Sequence, residues 1–147
     1  MLPGAHDILE QLAADPRMEV ELPPRNALAG AVVAHARAVV LRRLLPGAAV
    51  FKIGITTCPT HRWHNAKYGY RLSPDSFERM VVLLATDSGN AAAFLEAALI
   101  ALFQHTTGCR NVATGGEGLR PTEGPFFTYL VIAEPMAQRR PVRSAGA

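Results

Sequence analysis

Glu96 stands in Ala91-Ala92-Ala93-Phe94-Leu95-Glu96-Ala97-Ala98-Leu99-Ile100, the only formal charge between Asp87 and Arg110. A carboxylate among so many apolar neighbours needs a partner or a shifted pKa. A metal ion is such a partner, and one carboxylate with waters and phosphate oxygens is a common magnesium arrangement. The alternative places Glu96 on the solvated stripe of an amphipathic helix. Well upstream lies Phe51-Lys52-Ile53-Gly54-Ile55-Thr56, an apolar run interrupted by a glycine. A glycine inside a strand often marks a close approach of backbone or ligand. Arg62 follows eight residues after Gly54, among His61, His64, Lys67, Tyr68, Tyr70 and Arg71. Downstream of Glu96, Asn111 opens the glycine-rich stretch Thr114-Gly115-Gly116-Glu117-Gly118.

A second constellation competes for the histidines. Cys58-x-x-His61-x-x-His64 and His105-x-x-x-Cys109 have spacings that suit metal ligands. Two such pairs would build a tetrahedral zinc site.

The Lys-Ile-Gly-x-Thr strand, the arginine after it, the lone glutamate in an apolar helix and the asparagine before Gly-Gly-Glu-Gly fall in a definite order. In that order they resemble the GIY-YIG nuclease superfamily, and most closely the branch with a Tyr-Lys-Ile-Gly-x-Thr second motif. The resemblance covers roughly residues 48–118. It implies a small α/β (α+β) fold, with a mixed or antiparallel central sheet flanked by helices. It also implies an endonuclease that hydrolyses nucleic acid, DNA before RNA, with Mg2+ or Mn2+ held by Glu96. Arg62 would neutralise charge on the pentavalent phosphate, where a planar and permanently charged fork suits the geometry. Asn111 resembles the asparagine that ties its loop to the active-site wall, and with Gly54, Lys67 and Arg71 it is a candidate for substrate binding. Phe51 replaces the tyrosine of the second motif. No Gly-Ile-Tyr motif stands upstream, where only 39–41 or 48–50 could form its strand. The proton-accepting role then falls to His64 or His61, with Tyr68, Tyr70, Lys52 and Lys67 as further candidates. The alternative is a catalytically inactive module of the same shape that binds nucleic acid or a protein.

For shared chemistry, Gly54, Arg62, Glu96 and Asn111 must meet on one concave surface. Arg62 and Glu96 should then lie within about 10 Å of one another, leaving room for a metal and a phosphate.

The elements that must do this are legible in outline. Residues 5–14 read as a short helix and Met18–Leu22 as an alternating strand. Asn26 is placed to cap a helix over 27–45 with Leu28, Val32, Val39 and Leu45 on one face; a rival reading makes 38–45 a strand. Residues 48–56 and 79–85 read as buried strands, with a short helix from Pro59 to about Lys67 between them. Ser88 or Asn90 caps a strong apolar helix to about Gln104, Gly108 ends it, and Phe126–Ala133 is a last strand.

The chain's 147 residues, 49% hydrophobic and 18% charged, have globular composition. The organisation expected is an N-terminal extension over 1–25, one nuclease-like domain over 26–133, and a basic tail over 134–147. Residues 1–25 carry five acids against Arg17 and Arg25, a net −3, and the remainder thirteen Lys/Arg against seven acids, a net +6. A basic body permits a polyanionic partner. The apolar stretch 27–55 is broken by His35, Arg37, Arg42, Arg43 and Lys52, which excludes a simple membrane span. Met1-Leu2-Pro3-Gly4 leads into polar His6 and Asp7, which does not read as a signal peptide. With two cysteines, that suggests free thiols and a cytoplasmic setting.

Overall fold

A computed structural model describes residues 3–44, 50–65, 69–70, 77–111 and 123–133. The elements run α1 (Pro3–Ala13), β1 (Met18–Val20), α2 (Ala29–Leu44), β2 (Val50–Thr56), α3 (Pro59–His64), β3 (Arg79–Thr86), α4 (Gly89–Phe103) and β4 (Phe126–Ala133). Four strands form one mixed sheet in the order β1-β3-β4-β2, flanked by helices. β4 is antiparallel to both neighbours, and β1 runs parallel to β3. β4 is buried along its whole length, as expected of a central strand with helices on both faces.

Strand alternation divides the core in two. One face carries Val50, Met80, Val82, Phe127, Tyr129 and Val131, covered by Ala5 and Leu12 of α1 and Trp63 of α3. The other carries Phe51, Ile53, Val81, Leu83, Leu130 and Ile132, covered by Val39 and Val40 of α2 and Leu95, Leu99 and Phe103 of α4. The buried Thr128 hydroxyl donates to the Ala92 carbonyl (3.0 Å) and fixes α4 on β4.

Two strand-to-helix corners use one device. Thr56 Oγ1 accepts from the Cys58 N–H and Thr86 Oγ1 from the Ser88 N–H, each at 3.1 Å. Ser88 then caps α4, accepting from the Ala91 N–H at 3.0 Å. Pro59 follows Cys58 in the first turn of α3, where its missing N–H costs nothing.

The N-terminal segment is not a separate extension. β1 extends the sheet, and Ala5, Leu12 and Met18 are part of the core. Glu21 and Glu19 bind Arg43 of α2, Glu21 also binds Arg42, and Arg79 lies beside Glu19. The acidic excess of residues 1–25 thus meets basic partners within the chain. Asn26 does not cap α2; it takes a left-handed turn (φ 60°) three residues before the helix begins. Leu28 is exposed rather than on the buried face. α4 stops at Phe103, with Gln104 as its C-cap, ahead of Gly108. The tail over 134–147, Gly115, Gly116 and Gly118, and Lys67, Tyr68 and Arg71 lie outside the described residues.

Candidate functional site

Gly54 faces Tyr129 across the β2–β4 ladder. A Cβ on Gly54 would lie 2.4 Å from the Tyr129 hydroxyl and 2.6 Å from its ring. The missing side chain is therefore what lets the phenol of the central strand lie over the edge strand. The Tyr129 hydroxyl meets that of Tyr70 at 2.7 Å. Tyr70 returns to the sheet through Gly69, whose N–H donates to the Asn65 carbonyl (2.9 Å) and whose missing Cβ would fall 2.5 Å from the Trp63 carbonyl oxygen.

Arg62 completes the cluster. Its Nη2 donates to the Tyr70 hydroxyl at 3.3 Å, and its guanidinium carbon lies 4.5 Å from the Tyr70 ring centroid. Burial opposes its charge, but Tyr70 and then Tyr129 outweigh that and push its pKa further above the usual value. Tyr129 moves the same way for a different reason. Burial, then Tyr70, hold it well above the ordinary phenol range, and Arg62 offsets them only in part. It remains a neutral phenol. Lys52 is on the same side of β2 as Gly54, with Nζ 5.8 Å from the Tyr70 centroid.

Asn111 sits at the outer edge of β2. Its Oδ1 accepts from the Ile53 N–H (2.9 Å) and its Nδ2 donates to the Ile53 carbonyl (2.8 Å). Just before it, Phe51 exchanges backbone hydrogen bonds with Gly108 (2.9 Å) and Arg110 (2.8 Å). The side chain thus continues a short parallel pairing, as a peptide group would. Its amide is engaged by the strand and holds the segment after α4 against β2.

His64 is turned toward the N-terminal segment. It is exposed, and its Nε2 lies 2.9 Å from Asp15 Oδ2, which ties the ring to the turn between α1 and β1 and orients its other nitrogen, Nδ1. His61 Nε2 meets Asn65 Nδ2 at 3.3 Å. Among the described residues no three His, Cys, Asp or Glu side chains gather, so Cys58, His61, His64, His105 and Cys109 do not converge on one point. Cys109 packs against the core on the α4 face, opposite the face that α3 covers.

Phe51 is fully buried on the α4 face. A hydroxyl there would point away from Arg62, so its absence costs this cluster nothing.

No family model, curated protein or solved structure matches this chain.

Glu96 does not share a face with Arg62. α3 packs on one side of the sheet and α4 on the other, which overturns the expectation of one concave surface. What remains common to both helices is β2, an edge strand. α2 packs beside α4 and against β3, while α4 lies over β2 and β4. Phe94 and Leu95 line a groove with Ala29, Val32 and Val33 of α2. Two residues along a helix is a rotation of about 200°. Glu96 is therefore on the flank of α4 away from α2, toward the β2 edge, and it is half-buried. A carboxylate at such an edge fits a hard cation that keeps most of its waters. No helix among the described residues is long and apolar enough to cross a membrane.

Proposed function

We propose that this chain is a divalent-metal-dependent endonuclease of GIY-YIG type, acting on the phosphodiester bonds of nucleic acid, DNA before RNA. The observation that carries the reading is the seat of Arg62. A half-buried guanidinium rests on Tyr70, whose hydroxyl is linked to that of Tyr129 directly over the glycine of the motif strand. The tyrosine absent upstream has a counterpart downstream, since β4 places Tyr129 beside Gly54 on the strand next to the motif.

In this mechanism Arg62 binds the non-bridging phosphate oxygens and opposes the charge that grows as phosphorus becomes pentavalent. Its seat on Tyr70 removes rotamers that substrate would otherwise have to select against. The Tyr70–Tyr129 pair would orient the attacking water by hydrogen bonding; the water's proton passes to solvent as its oxygen bonds to phosphorus, the bond from phosphorus to the leaving oxygen breaks, and that oxygen takes a proton from solvent. Glu96 lies on the other face, so it would share a phosphate with Arg62 only where the substrate strand crosses the β2 edge; Mg2+ or Mn2+ held there would supply Lewis-acid stabilisation of the leaving oxygen. Asn111 keeps the edge of β2 in register between the two.

The test is cleavage of single- and double-stranded DNA and RNA with Mg2+ or Mn2+, against the same reactions with chelator. Native protein should cut, and Arg62→Ala and Glu96→Gln should each lose at least roughly a hundred-fold in rate with folding retained. Undiminished cutting by Glu96→Gln would remove the metal role.

One observation favours the second reading, an inactive nucleic-acid- or protein-binding module. Burial and Tyr70 hold Tyr129 neutral, so the phenol beside Gly54 is not a ready base. Binding of nucleic acid that depends on Arg62, with no cutting under any metal, would establish that reading instead.

A further inference from the structure

α3 has only six residues, too few to hold its own orientation, and Cys58 at its N-cap makes no side-chain capping bond. Tertiary contacts must fix it. Trp63 is its anchor, fully buried in the core, yet its indole Nε1 finds no hydrogen-bond partner among the described residues. Among the described residues packing alone holds the ring, and packing resists withdrawal of a helix better than roll about its axis. Arg62 and His64 project about 100° to either side of Trp63. They act as two arms of one pivot: Arg62 rests on Tyr70, and His64 on Asp15.

Asp15 is built to receive that second arm. It sits in the turn between α1 and β1, where its carbonyl accepts from the Met18 N–H at 3.0 Å. Its Oδ1 accepts from the Arg17 N–H at 2.8 Å, which fixes the carboxylate and aims Oδ2 at His64. We propose that Asp15 is a positioning residue: through His64 it sets the roll of α3 and hence the seat of Arg62 on Tyr70. A segment that contributes no group to the candidate site thereby controls its geometry. The kinetic part of this inference rests on the nuclease reading; the structural part does not.

The experiment has two readouts. The first is the Arg62 side-chain proton resonances, assigned by their loss in Arg62→Lys. Stacking on Tyr70 gives them an upfield ring-current shift. Asp15→Ala and His64→Ala should each collapse that shift toward the free-arginine value, in proteins with unchanged thermal midpoints. His64 is exposed, so its variant should fold even if Asp15→Ala does not. The second is cleavage rate. Either variant should lower kcat roughly ten- to a hundred-fold with little change in KM, and Asp15→Ala should add no further loss in the Arg62→Lys background. An unchanged ring-current shift in both variants overturns the inference, as does an equal rate loss with and without Arg62. Absence of cleavage by native protein overturns the nuclease reading and leaves the resonance result to decide this one.

Discussion

Tyr70 and Tyr129, 59 positions apart, share a 2.7 Å hydrogen bond above the one residue of β2 that has no side chain. The arrangement depends on that residue. In Gly54→Ala the new methyl would stand 2.4 Å from the Tyr129 oxygen. The phenol belongs to a fully buried central strand and has little room to retreat. Overpacking of this kind costs about 1–3 kcal/mol. Chemical denaturation should show that loss, and near-ultraviolet circular dichroism should show altered tyrosine bands. Wild-type stability in Gly54→Ala would mean that Tyr129 does not lie over β2.

How far the sequence disclosed this cluster follows from the residues themselves. β4 was legible to its ends, because Phe126–Ala133 is an apolar run that only a buried strand accommodates. Its tyrosine was not, because a phenol within Phe-Phe-Thr-Tyr-Leu-Val-Ile-Ala reads as core. Only the register that sets Tyr129 opposite Gly54 turns it into a site residue, and pairing between strands so far apart leaves no local signal. The order Lys52, Gly54, Arg62, Glu96, Asn111 was legible as a motif. That Arg62 and Glu96 flank opposite faces was not, since sequence order does not say which side of a sheet a helix covers. The role of β1 was hidden because three residues that complete a parallel edge look like any short alternating segment.

Asn111 replaces a peptide group, so its removal should be felt in stability before chemistry. Asn111→Ala leaves the Ile53 N–H and carbonyl without their partners, at about 1–3 kcal/mol. Asn111→Asp keeps an acceptor for the N–H but sets a carboxylate against the carbonyl, and should be no better than alanine. Hydrogen exchange of the Ile53 amide should accelerate in Asn111→Ala while amides of β3 stay protected. Slow exchange at Ile53 in the variant would show that the strand edge is held by something else.

Glu21 gives a signed dependence on pH. Burial raises its pKa, but hydrogen bonds and charge from Arg42 and Arg43 outweigh burial and leave it below the ordinary 4.5. A carboxyl whose folded pKa is depressed adds stability above its unfolded value, and that contribution fades as pH falls through the folded value. Native protein should therefore lose stability on acidification below about pH 4.5. Glu21→Gln, less stable at neutral pH, should show a shallower acid decline. Thermal midpoints measured from pH 7 down to pH 3 would check this, and parallel curves for the two proteins would refute it.

Tyr129 separates two accounts of how the proposed site treats a proton. A free phenol with pKa near 10 is ionised to only about one part in a thousand at pH 7. Burial and Tyr70 push Tyr129 well above that range, and Arg62 only partly offsets them. Its ionised form is therefore scarcer still at working pH, and its part is to donate or accept a hydrogen bond while remaining neutral. Tyr129→Phe should lower kcat by roughly ten- to a thousand-fold, the span from a lost proton-handling or orienting contact to a lost transition-state donor. It should not remove a rate-controlling ionisation between pH 6 and 9, because Tyr129 does not titrate there. The pH profile of kcat/KM in the variant should therefore be lowered but keep its shape. A profile that goes flat across this range in Tyr129→Phe would make Tyr129 the titrating base, and would require its phenol to be far more acidic than its buried seat beside Tyr70 allows.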